Sequence, residues 1–308
     1  MSRMRTIRLL SALLPRALPV SAFLLFATPA MAQTTAFARP ELIVDTTWLA
    51  ANLAAPNVRI VDMRPRGYPE GHIPGAVWLD NNAIRNPKAP PTFLPTPQEF
   101  AALMGRLGIA NTTRVIVYDE RGGLYAARLW WILNYHGHTN VALLNGGWTK
   151  WSAEQLATNT DVPVPAAVSF TVKKGTVGVA TADDVKAAIN AKGTRLIDAR
   201  TQGEIDGKDL RGIKRGGFIE SSIPLYWEDV LDTTTRALKS PADIERTWRE
   251  KGVTKSDQVI VYCQVGMRAS HNLFTLALLG HDLAKLSNYY GAWEEWGNRD
   301  DTPIKNRD

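Results

Sequence analysis

Cysteine is almost absent from this 308-residue chain: the one copy is Cys263. No internal disulfide can form, so the fold has to be held by ordinary apolar cores. Histidine is scarce as well. His72, His136, His138, His271 and His281 show no zinc-type spacing with cysteine or carboxylates, and no metal or other cofactor is expected. His136 and His138 follow a predicted helix and belong to its C-terminal turn. Long apolar runs are also missing. The run Ala17 to Thr28 is too short to span a bilayer, and no second candidate follows it. No acidic residue precedes Glu41, whereas Arg3, Arg5, Arg8 and Arg16 do.

That basic head, the short apolar run and the small-x-small site Ala30-Met31-Ala32 stand in the order of a secretory signal peptide, residues 1–32, cleaved after Ala32. No Arg-Arg pair is present, so the general secretory route and a periplasmic destination are expected. The segment carries four of the 36 basic residues. What remains is 32 basic against 30 acidic, a net charge of +2 rather than +6. That balance, without a basic face interleaved with aromatics, argues against a nucleic-acid partner. A monomer that leaves the membrane after cleavage is expected.

Repeats set the domain organisation. Arg59-Ile60-Val61-Asp62-Met63-Arg64 reappears as Arg195-Leu196-Ile197-Asp198-Ala199-Arg200, and Val115-Ile116-Val117-Tyr118-Asp119 as Val259-Ile260-Val261-Tyr262-Cys263. Asn145-Gly146-Gly147-Trp148-Thr149-Lys150-Trp151 reappears as Tyr290-Gly291-Ala292-Trp293-Glu294-Glu295-Trp296. The offsets are 136, 144 and 145 residues, in the same order. Each unit alternates short apolar strands with amphipathic helices, which predicts an α/β fold with a mainly parallel sheet covered on both faces. Strands are predicted at 58–62, 115–118, 141–144, 196–198 and 258–262. Helices are predicted near 98–107, 124–135, 149–156, 182–191, 241–251 and 269–279. Prolines 163 and 165 forbid a helix in the connection. The units are set at 33–157 and 176–308, with a linker over 158–175.

The candidate site is the stretch from Val259 to Ser270. Four β-prone residues lead into Cys263, and Gln264, Val265, Gly266, Met267, Arg268, Ala269 and Ser270 lead into a helix. Strand, loop and helix in that order aim backbone N–H groups and the positive helix end into one concavity. A free cysteine is usually inert core. A glycine three residues on and an arginine five residues on point instead to a nucleophile whose thiolate the loop stabilises. Cysteine-dependent phosphatases and arsenate reductases set the arginine one residue further away, and the tighter ring here suits a single sulfur atom.

The chain resembles the tandem-domain rhodanese family, the thiosulfate and 3-mercaptopyruvate sulfurtransferases. The likeness rests on Gly71-His72-Ile73-Pro74-Gly75-Ala76, on Asp62-x-Arg64 and Asp198-x-Arg200, on the Gly-x-Trp-x-x-Trp endings, and on the loop from Cys263 to Arg268. It implies two rhodanese-like domains, with Cys263 as the catalytic residue of the second. Asp119 stands at the corresponding place in the first, and a carboxylate cannot carry a sulfane sulfur, so that domain is expected only to shape the cleft. The implied reaction moves a sulfane sulfur from thiosulfate to cyanide or a thiol through a Cys263 persulfide. Residues Gln264 to Ser270 would hold the anion, and Arg268 would bind the sulfonate or balance the thiolate. A charged loop favours thiosulfate over 3-mercaptopyruvate; a sulfur carrier that loads without turning over is the non-enzyme alternative.

The second unit departs from the family pattern twice. It has Gly217-Phe218-Ile219-Glu220 where Gly-His-Ile-Pro is expected, and Gly203-Glu204 where a substrate arginine is usual. Glu204 is expected to pair with Arg200. Arg211, Lys214 and Arg215 are candidates to supply the missing positive charge. Trp148, Trp151, Trp293 and Trp296 are read as core and domain-seam packing.

Overall fold

Runs of β-branched residues ending in an acidic or cysteine residue become the central strands, and the elements alternate along the chain. The computed structural model describes residues 36–306, so the expected signal segment lies outside the described residues. The first unit contains β1 (Ile43–Val44), α1 (Thr46–Ala51), β2 (Val58–Asp62), β3 (Val77–Trp78), α2 (Pro97–Arg106), β4 (Arg114–Tyr118), α3 (Ala126–Tyr135), β5 (Val141–Leu144) and α4 (Gly147–Ala153). The second contains β6 (Gly178–Ala180), α5 (Ala182–Ala188), β7 (Thr194–Asp198), α6 (Gln202–Ile205), β8 (Ile223–Pro224), α7 (Pro241–Glu250), β9 (Gln258–Tyr262), α8 (Met267–Leu278), β10 (Leu286–Tyr289) and α9 (Ala292–Trp296).

Each unit is one five-stranded parallel sheet, ordered β1-β5-β4-β2-β3 in the first and β6-β10-β9-β7-β8 in the second. Register repeats too: Asp62 pairs with Tyr118, and Asp198 with Tyr262. Alternate residues of each strand enter different cores, as the two-residue period of a strand requires. Ile60, Ile116 and Ala142 face Leu49 and Trp151 on one side of the first sheet. Val61, Val117 and Val141 face the opposite way, into a core that continues through α3 and α8 to Val259 and Val261 of the second sheet. Leu196 and Tyr262 pack with Val185, Trp293 and Trp296 on the far side.

The seam between the units is α3 against α8. Trp130 meets Phe274 edge-on at 5.2 Å, and Trp131 lies 4.8 Å from Tyr290. His271 of α8 approaches the Gly122 carbonyl with Nε2 at 3.2 Å. Burial brings its imidazole down to about 4, so the ring is neutral there. The expected seam role of the repeat tryptophans is corrected. Trp148 and Trp293 lie over Arg64 and Arg200 of their own units, at 3.9 and 4.0 Å.

The Asp-x-Arg repeat is a structural clasp. Arg200 donates from Nε and Nη2 to Asp198, at 2.9 and 2.7 Å, and from Nη2 to the Gly217 carbonyl. Tyr262 donates to the same carboxylate at 2.6 Å. Arg64, Asp62, Gly71 and Tyr118 reproduce the set. The segment after α4 is extended and strapped to the first unit: His72 and Asn159 exchange backbone bonds, and Lys173 and Gly175 donate to the His136 and Tyr135 carbonyls.

Candidate active site

β4 and β9 are the central strands of their sheets, and residues just after their C-terminal ends line one cleft, the place where open parallel sheets put ligands. A cleft of about 470 Å³ lies there, bounded by Arg121, Leu124 and Tyr125 of the first unit. Cys263, Gln264, Val265, Met267 and Arg268 bound it from the second, with Thr201, Arg211, Tyr226 and Trp227 beside them. Cys263 borders the cleft floor and is itself buried.

The loop after Cys263 is shaped from behind. Trp293 donates its N–H to the Cys263 carbonyl at 2.9 Å, and Glu294 donates to Gln264 at 3.0 Å. The Gly266 carbonyl accepts from Ser270 Oγ at 3.0 Å and Asn288 Nδ2 at 2.9 Å. With the carbonyls held on one side, the N–H groups turn to the other. Gly266 sits at φ +75°, and a Cβ there would come within 2.2 Å of the Tyr290 ring, so only glycine fits both demands. Helix α8 begins at Met267, two residues before the predicted start, because this left-handed turn launches it at once. One expected anion-binding group is lost as a result: the Ser270 N–H bonds the Gly266 carbonyl at 3.2 Å in the first helical turn. The amides of Val265, Met267 and Ala269 have no backbone carbonyl as acceptor among the described residues.

Glu204 corrects the sequence expectation most directly. It pairs with Arg268, not Arg200: Arg268 Nη1 and Nη2 lie 2.6 and 2.7 Å from its two oxygens. The same carboxylate accepts from Thr201 N and Oγ1 as the third residue of a capping box on α6. Burial alone would push the Glu204 carboxyl up, but the bonds and charge of Arg268, with Thr201, bring it down to about 2. Burial likewise lowers Arg268, and Glu204 together with the Cys263 sulfur outweighs this and raises it. Glu204 thus holds Arg268 at the edge of the cleft that Cys263 also lines.

The three candidate cations part company. Arg211 lines the cleft, with its backbone at φ +48°. Lys214 is exposed and does not line it; its N–H donates to Asn298. Arg215 is turned away into the C-terminal segment, donating to Trp296, Arg299 and Thr302, so it is not available to a ligand. Arg121, which the sequence reading missed, lies at the mouth beside Glu228 at 3.5 Å.

The corresponding loop of the first unit is closed. Asp119 is fully buried, and its carboxylate accepts four backbone N–H groups: Arg121 and Gly123 at 2.7 and 2.9 Å, Tyr125 and Ala126 at 2.7 and 2.9 Å. Burial pushes this carboxyl up, and the four amides counter it.

Comparison with known proteins gives this geometry a family. The rhodanese-like domain matches residues 45–154 and again 181–299. The chain belongs to the rhodanese family, in its two-domain form. It is 34% identical to a thiosulfate sulfurtransferase of Corynebacterium glutamicum over 288 residues, covering 87% of this chain and 92% of that one. It is 33% identical to the sulfur carrier protein TtuD of Thermus thermophilus over 282 residues, covering 87% and 98%. The crystal structure of SseA from Escherichia coli, a 3-mercaptopyruvate sulfurtransferase, superposes with a TM-score of 0.72 at 29% identity, covering 82% and 98%.

Proposed function

We propose that this protein is a thiosulfate sulfurtransferase in which Cys263 carries the transferred sulfur. The observation that carries the reading is the open ring of amides around Cys263, facing a cleft, where the matching ring in the first unit is filled by Asp119. The thiolate attacks the outer sulfur of thiosulfate, the sulfur–sulfur bond breaks, and sulfite leaves with the bonding pair. Cyanide or a thiol then attacks the outer persulfide sulfur and returns the Cys263 thiolate, so the transfer is split into two easier steps. The amides from Gln264 to Ala269 hold the persulfide anion as an oxyanion hole holds oxygen. Arg268, steadied by Glu204, balances the charge; Arg211 and Arg121 draw the anionic donor into the cleft.

The Corynebacterium relative supports thiosulfate as donor, and the Escherichia coli structure keeps 3-mercaptopyruvate as the second reading. TtuD supports a sulfur carrier that loads without turning over as the non-enzyme alternative. The three-part N-terminal segment supports export by the general secretory route and cleavage after Ala32. A cleft built within one chain supports action as a monomer. Steady-state thiocyanate formation with each donor, with cyanide as acceptor, tests the assignment. Faster turnover with 3-mercaptopyruvate overturns the donor, and sulfur loading without turnover favours the carrier.

A further inference from the structure

Arg128 belongs to α3, in the unit that lacks the cysteine, yet it reaches the back of the loop that has it. The side chain is 1% exposed. Its Nε donates to the Tyr290 hydroxyl at 2.5 Å and its Nη1 to Asn81 Oδ1 at 2.8 Å, while Nη2 has no hydrogen-bond partner among the described residues. None of these partners is a carboxylate. A buried guanidinium without a counter-charge is costly, and such a group is kept where it does a task. Tyr290 is fully buried between Arg128 and Gly266, with the guanidinium 5.1 Å from its ring centre. The ring occupies the space beside the Gly266 Cα, where the loop takes its left-handed turn. Its hydroxyl also donates to the Ile84 carbonyl at 3.3 Å, so both of its anchors are in the first unit.

A second arginine of the first unit repeats the contact. Arg85 pairs with Glu294, whose N–H holds the Gln264 carbonyl, and its guanidinium lies 6.0 Å from the Tyr290 ring centre. Two cations therefore cross the seam to the two residues, Tyr290 and Glu294, on which the loop rests. Neither arginine lines the cleft, although Glu294 does.

We propose that Arg128, acting through Tyr290, is a positioning residue of the first unit that fixes the loop of Cys263 in its reactive geometry. The domain without a nucleophile thus supports the loop as well as walling the cleft. This rests on the reading of Cys263 as the sulfur acceptor, so its test carries one readout that does not.

Tyr290→Phe keeps the ring and removes the hydroxyl; Arg128→Met removes the charge, and Arg128→Lys restores part of it. In thiosulfate-to-cyanide turnover, kcat falls about 10- to 100-fold in Tyr290→Phe and Arg128→Met, the scale at which a slight misplacement of reacting groups costs rate. KM for thiosulfate stays within about twofold, and Arg128→Lys recovers much of the loss. Because Cys263 is the one cysteine, alkylation by iodoacetamide reads the loop alone. Its rate changes about tenfold or more in the first two variants while both remain folded by circular dichroism. Wild-type kcat and alkylation rates in folded Tyr290→Phe and Arg128→Met overturn the proposal, as does a loss confined to KM. If wild type transfers no sulfur, the functional reading falls, and the alkylation rates still decide the positioning role. Should Arg128→Met fail to fold, Tyr290→Phe decides alone.

Discussion

At the end of β4 a carboxylate fills a ring of backbone amides; at the end of β9 a cysteine stands beneath a ring that is open. The two loops follow strands of nearly identical sequence and register. Seven residues lie between Tyr118 and the start of α3 at Ala126, and four between Tyr262 and the start of α8 at Met267. The longer loop wraps its amides around an internal anion and needs no ligand. The shorter one turns at Gly266, packs its carbonyls against Trp293, Glu294 and Asn288, and leaves amides facing the cleft. A preorganised set of amides can thus be filled by a carboxylate of the chain itself, and on the proposed reading the set beside Cys263 is kept for a transferable atom.

The largest effect is expected from removing the sulfur. Cys263→Ser should lower sulfur transfer by on the order of 10⁴-fold or more, with an unchanged thermal midpoint, since the swap is nearly isosteric. Retained transfer would move the chemistry off this loop. Gly266→Ala should come next. A Cβ strained at φ +75° and forced against Tyr290 should cost about 1–3 kcal/mol and about 100-fold in kcat, measured by denaturant melts and initial rates. A wild-type rate in that variant would show that the left-handed turn is dispensable.

Glu204 sharpens the comparison through charge, since its pair with Arg268 is buried whereas the arginine of the first loop, Arg121, pairs with Glu228 while largely exposed. Glu204→Gln should cost about 3 kcal/mol at neutral pH by leaving Arg268 buried without its counter-charge. The wild-type carboxyl lies near 2 rather than its ordinary 4.5, so its stabilising contribution is complete above about pH 4.5 and fades as pH falls toward 2. Thermal melts of both proteins should therefore converge across that window. A gap independent of pH would show that the charge of Glu204 is not what matters. Asp119→Ala should have the smallest effect on transfer, within a fewfold of wild type, while costing about 2 kcal/mol for the stranded amides. A collapse in rate without unfolding would give the first loop a direct part in the reaction.

Much of this was legible in the chain. The strands at 58–62, 141–144 and 258–262 fall where the apolar runs placed them, because those runs are bounded by turn residues and buried on both faces. β10 was missed because Leu286-Ser287-Asn288-Tyr289 is half polar; its Asn288 is spent on the Gly266 carbonyl and Ser270. Helix α5 ends at Ala188 rather than at residue 191, and Ile189 becomes its cap, because Asn190 takes a left-handed conformation. The pairing of Glu204 is a contact across 64 residues that no local period reveals. Arg128 and Tyr290 were hidden for the same reason: each is ordinary in its own element, and only the packing of α3 on α8 brings them together.

The most direct test of the contrast is intact-protein mass spectrometry of the reduced protein before and after thiosulfate, and again after cyanide. A gain of one sulfur atom that cyanide removes is expected, absent in Cys263→Ser and unchanged in Asp119→Ala. No gain with either thiosulfate or 3-mercaptopyruvate, or a gain that survives in Cys263→Ser, would contradict it.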